Sequence, residues 1–83
     1  MSLSDGFKAN HGENGFLGVT SEGHGVYHRE ETSKFPERVV IIDITGATVE
    51  EKELTNGKSE ALTYIDEEYD WDEFSDNARE YLN

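Results

Sequence analysis

The sequence predicts an α+β fold: a small antiparallel β-meander of four to five strands covered by a C-terminal α-helix. Three observations carry this. Short β-prone runs are separated by Gly and Asn turn signals from Gly15 onward. One of them, residues 39–44, is continuously apolar except for Asp43, the pattern of a strand covered on both faces. Beyond it, Trp71, Phe74, Ala78, Tyr81 and Leu82 fall on one stripe at helical spacing. A chain of 83 residues is one domain, and one this small buries only roughly 60–65% of its surface.

Residues 1–14 are rich in Gly, Asn, Ser and charge, with Phe7 the single aromatic, and are expected as a flexible arm ahead of a single α+β domain over 15–83. Residues 16–20 form the first strand, Ser21-Glu22-Gly23 a turn, and 26–28 the second strand. Residues 32–36 read as a loop, since Pro36 can begin a strand but not continue a central one. Residues 39–44 are the best candidate for a central strand, with Gly46 ending it. Asn56-Gly57 then signals a tight hairpin pairing about 48–55 with 58–65, although that register sets Glu53 against Glu60. Thr48-Val49-Glu50-Glu51 also fits a capping box for a short helix; the hairpin is preferred because so short a helix is marginal. Asp70 as N-cap with Glu73 three residues on predicts a helix over 71–82, with Trp71 and Phe74 buried beneath it.

The charge is the second strong signal. Nineteen acids against seven bases leave a formal net charge of −12, and seven carboxylates crowd the eleven positions from Asp66 to Asp76. Such a surface repels nucleic acid and anionic membranes and attracts basic partners. Mutual repulsion is expected to raise carboxylate pKa values, so that stability rises from neutral pH toward about pH 5. There is no cysteine, which excludes a disulfide framework and thiolate chemistry and points to the cytoplasm. No apolar run approaches the ~18 residues of a membrane span, and the first residues lack the pattern of a signal peptide.

Catalytic and metal motifs are weak. On a strand His24 and His28 lie about 13 Å apart, too far to share an ion, and His11 falls in the expected arm. The acidic stretch fits no EF-hand register, since Trp71 or Phe74 falls where Gly or an oxygen ligand is needed. Asp43 and Thr45 read as polar residues leading a strand into a turn, and no phosphate loop or nucleophile elbow is present. The expected function is therefore non-enzymatic, with no cofactor and no metal: a small binding or regulatory protein that engages a basic protein partner through a carboxylate-rich face. Presenting carboxylates where phosphates would sit would let it inhibit a nucleic-acid-binding protein. The expected contacts are Glu67, Glu68 and Asp72 with Tyr64 and Tyr69 as apolar anchors, joined by Glu50, Glu51 and Glu53 into one negative face. Two alternatives stand beside it: acidity as an adaptation to salt or a device for solubility, and a histidine-based metal protein or enzyme. A homo-oligomer is compatible with the sequence.

Overall fold

The computed structural model describes residues 3–68 and 71–74, with Leu62 and residues 71–74 as backbone only. The elements run α1 (Leu3–His11), β1 (Phe16–Thr20), β2 (Gly25–Arg29), β3 (Arg38–Ile42), β4 (Thr48–Glu53), α2 (Lys58–Glu68) and β5 (Trp71–Phe74). The strands form one antiparallel sheet in the order β4-β3-β2-β1-β5. The first four are the expected meander, and β5 adds to the free edge of β1. The fold is α+β, an antiparallel meander with helices.

Alternation along the strands divides the core between the two faces of the sheet. Val39 and Ile41 of β3 join Leu17, Val26, Leu54, Ala61 and Ile65, beneath α2. Val40 and Ile42 join Phe7, Phe16, Val19 and Tyr27, beneath α1. This is why the run starting at Val39 is continuously apolar: each residue has a helix-covered core to enter. Burying one such aliphatic side chain contributes about 1.5–3 kcal/mol. The run ends at Ile42, earlier than expected, and Ile44 is 54% exposed in the turn to β4. Asp43 organises that turn. Its Oδ1 accepts from the Thr45 N–H (2.9 Å), the Thr45 hydroxyl (2.5 Å) and the Ala47 N–H (3.1 Å), and the hydrogen bond from the Thr45 hydroxyl above all holds its pKa below the ordinary value. Gly46 completes the turn at φ +92°, and a Cβ there would stand 2.8 Å from Cε1 of His11.

Three expectations are corrected. The arm over 1–14 contains a docked helix. Leu3, Phe7 and His11 are spaced four apart on α1, and Phe7 is fully buried over Gly25. The buried Tyr27 hydroxyl ties the helix end to the sheet, donating toward the carbonyls of Gly12 (2.8 Å) and Phe7 (3.2 Å). Burial pushes the Tyr27 phenol above its ordinary pKa, with the Arg29 cation opposing.

The hairpin at Asn56-Gly57 is half right. Residues 48–53 are a strand, paired with β3 from Arg38↔Glu53 to Ile42↔Thr48, but 58–68 form α2. Glu60 decides this. Its Oε1 accepts from the N–H groups of Thr55 (2.6 Å) and Asn56 (3.2 Å), anchoring the chain just ahead of α2 to its first turn. Ala61 and Ile65 then supply the buried stripe.

Among the described residues the helix that covers the sheet is α2, and the helix expected over 71–82 does not begin at Trp71. Residues 71–74 are strand, in register Gly18↔Phe74, Val19↔Glu73 and Thr20↔Trp71. Trp-Asp-Glu-Phe satisfies either periodicity over four residues, and the unpaired edge of β1 settles the choice. The expected burial of Trp71 and Phe74, the Asp70 cap and residues 75–82 lie outside what is described.

Candidate functional site

The site follows from the register of the edge strand. Glu50 stands opposite Ile41 and Lys52 opposite Val39, so both share the face covered by α2. Glu51 stands opposite Val40 and Glu53 opposite Arg38, on the face covered by α1. One turn of α2 completes the arrangement. Ala61 and Ile65 anchor the helix, which sets Tyr64 half-buried against the core margin. Its hydroxyl donates to Oε1 of Glu50 at 2.7 Å, and the Lys52 ammonium lies 5.9 Å from its ring centroid.

A depression of about 340 Å³ opens beside this ring, lined by Lys52, Glu60, Thr63, Tyr64, Glu67 and Glu68. Among the described residues, Glu60, Glu67 and Glu68 line it beside one ammonium, and Glu50 adds a fourth carboxylate on the Tyr64 hydroxyl. Glu60 is the most firmly held. The N–H bonds from Thr55 and Asn56 lower its pKa, with the Lys52 cation adding to the effect, so its charge persists to lower pH than an ordinary glutamate's. Glu67 and Glu68 are exposed on the last turn of α2. Together these groups can receive a long cationic side chain, its stem along the Tyr64 ring and its head among the carboxylates.

Of the expected binding residues, the fold brings Glu50, Tyr64, Glu67 and Glu68 together. It separates Glu51 and Glu53, across the sheet, where Glu51 lies 3.8 Å from the Arg38 guanidinium. Asp72 has its backbone in β5, at the sheet edge farthest from β4 and so from Glu50. The side chain of Asp72, and Tyr69 altogether, lie outside the described residues. The expectation of one face joining all eight is therefore corrected: a two-residue period sends neighbouring acids of β4 to opposite sides. Sequence reasoning missed Glu60, Lys52 and Thr63. A signal for Glu60 was present, as an acid three residues after Gly57 is where a helix N-terminus wants one, and its clash with Glu53 argued against the hairpin.

The histidines go separate ways. His28 is buried on β2 with Nε2 2.8 Å from Oε2 of Glu37, His24 lies 3.8 Å from Glu22 in the β1–β2 turn, and His11 packs on Gly46. Among the described residues no three His, Asp or Glu side chains are grouped to hold a metal ion. None of the described helices is long and apolar enough to cross a membrane. Comparison with models of protein families, with curated protein sequences and with solved structures finds no match to this chain.

Proposed function

We propose that this is a small non-enzymatic cytoplasmic protein that engages a basic protein partner, seating a lysine or arginine of that partner in the Tyr64 depression. The observation that carries the reading is a half-buried aromatic ring in a cavity lined by three glutamates, with Glu50 held on its hydroxyl. Aromatic anchors flanked by charge are where binding energy and orientation are concentrated in such interfaces. A partner that otherwise grips nucleic acid is a natural target, since the carboxylates take the place of phosphates.

The reading rests on this depression and not on net charge. Glu51 and Glu53 lie on the opposite face of the sheet from it, so part of the acidity stands apart from the depression. That spread supports a second reading, in which the remaining carboxylates keep the protein hydrated in a salty or crowded medium.

Two double variants of equal charge change separate the readings. Glu67→Lys with Glu68→Lys should abolish capture of a basic partner from native lysate at low salt. Glu51→Lys with Glu53→Lys should leave capture nearly intact. Equal loss in both would show that charge alone attracts the partner. Capture should also weaken steeply with salt, because screening acts within ~8 Å at physiological ionic strength. Stability that rises with salt in the absence of any capture would support the second reading instead.

A further inference from the structure

A second cavity, of about 490 Å³, lies at the end of the β2–β3 ladder, apart from the Tyr64 depression. Two arginines line it. In an acidic chain with few cations, Arg29 and Arg38 stand directly opposite each other in the β2–β3 register. Like charges in that position destabilise a strand pair, so their placement calls for a cause.

Both guanidinium groups are held in place. Arg29 lies 4.7 Å from the centroid of the Tyr27 ring and donates to the Asn14 carbonyl at 3.2 Å. Arg38 lies 5.1 Å from the centroid of the Phe35 ring and donates to the Pro36 carbonyl at 3.2 Å, with Glu51 at 3.8 Å from its Nε. A guanidinium carries five N–H donors in a fixed fork. Among the described residues, hydrogen bonds engage one nitrogen of each. The cavity wall adds Thr32, whose Oγ1 accepts from the N–H groups of Lys34 and Phe35 and keeps its own proton to donate. His28 closes the inner side, its Nε2 bonded to Glu37.

We propose that Arg29 and Arg38 clamp one oxyanion group, a carboxylate or a phosphate, of a small molecule seated in this cavity. Two stiffened forks on the wall of one cavity can meet the oxygens of a single such group and lose little freedom on binding it. The occupant also removes the repulsion between the two cations. Glu30 on the rim and the negative charge of the whole protein exclude a long polyanion such as a nucleic-acid backbone, while a compact anion avoids them. This site is independent of the Tyr64 reading.

The test is NMR of the full chain, following backbone amides and arginine Nε–H signals during titration with inorganic phosphate and, separately, with succinate. Saturable shifts confined to Arg29, Arg38 and the amides around Gly15 and Thr32 are expected, and the tighter probe distinguishes phosphate from carboxylate. Arg38→Lys keeps the charge but loses the fork, and should weaken binding about tenfold or more. Arg29→Lys serves as the second variant where Arg38→Lys disturbs the spectrum of the free protein. Failure of both probes to saturate, shifts of equal size at Lys8, Lys34 and Lys58, or undiminished affinity in the lysine variants would each overturn the proposal.

Discussion

Phe7 is the residue on which the docking of α1 depends, and its removal has a calculable effect. The side chain is fully buried among Phe16, Val19, Tyr27, Val40 and Ile42. Phe7→Ala should cost about 3–5 kcal/mol, the lost transfer of a ring plus the cavity it leaves. A chain of this length is stable by only about 4–12 kcal/mol, so the variant should lose a quarter or more of its stability. The contact can be isolated by a second substitution. A Cβ on Gly25 would stand 2.7 Å from Cδ1 and 2.9 Å from Cε1 of Phe7, so Gly25→Ala forces the ring or the helix to move. That overpacking should cost about 1–3 kcal/mol in the native protein and close to nothing beside Phe7→Ala, where the ring is gone. A double-mutant cycle by urea unfolding, followed by far-UV circular dichroism, reads the coupling directly and should give about 1–3 kcal/mol. The urea midpoint should fall in both single variants without a change in slope. An unchanged midpoint in Phe7→Ala, or strictly additive costs, would show that α1 is not part of the cooperative fold.

Three further outcomes are expected. Asp43 and Glu60 have pKa values held below ordinary ones by hydrogen bonds, so the unfolded chain takes up protons first as pH falls. Their stabilisation is complete above the unfolded values of 3.8 and 4.5 and is lost as pH drops through the lower folded values, the reverse of the rise expected from repulsion among carboxylates. Asp43→Asn and Glu60→Gln should therefore show a shallower acid transition in thermal melts than the parent; identical profiles would disprove these shifts. His28→Ala should cost about 2–4 kcal/mol through lost packing and a stranded Glu37, and zinc should leave the melting temperature of the parent unchanged, since the histidines are dispersed. Finally, β4 is an edge strand with all six residues exposed, and its charges oppose pairing with a second copy. Glu51→Thr with Glu53→Thr should raise self-association in light scattering, and a strictly monomeric variant would assign those glutamates no such role.

Local patterns and burial rules carried most of the sheet. The run from Val39 to Ile42 announces a strand covered on both sides because its side chains leave no polar face. The turns at Gly23 and Gly46 are legible because Ser, Asp and Thr beside glycine bond their own backbone. The acidity is a sum over side chains that no folding alters. Of the candidate site, Glu50, Tyr64, Glu67 and Glu68 were nameable from the sequence.

What the tertiary structure decided are the choices on which local energies are nearly balanced. Asn56-Gly57 suits a hairpin turn or a helix start, and the bonds from Thr55 and Asn56 to Glu60, with Ala61 and Ile65 buried on the sheet, make it a helix. Residues 71–74 suit helix or strand, and the open edge of β1 pairs with them. The segment around Phe7 is too polar to hold a helix alone, and the cavity over Gly25 supplies the burial it lacks. The sharing of the acids between two faces, and the meeting of Arg29 with Arg38, depend on strand register. Register is set by long-range pairing, and no local window of sequence contains it.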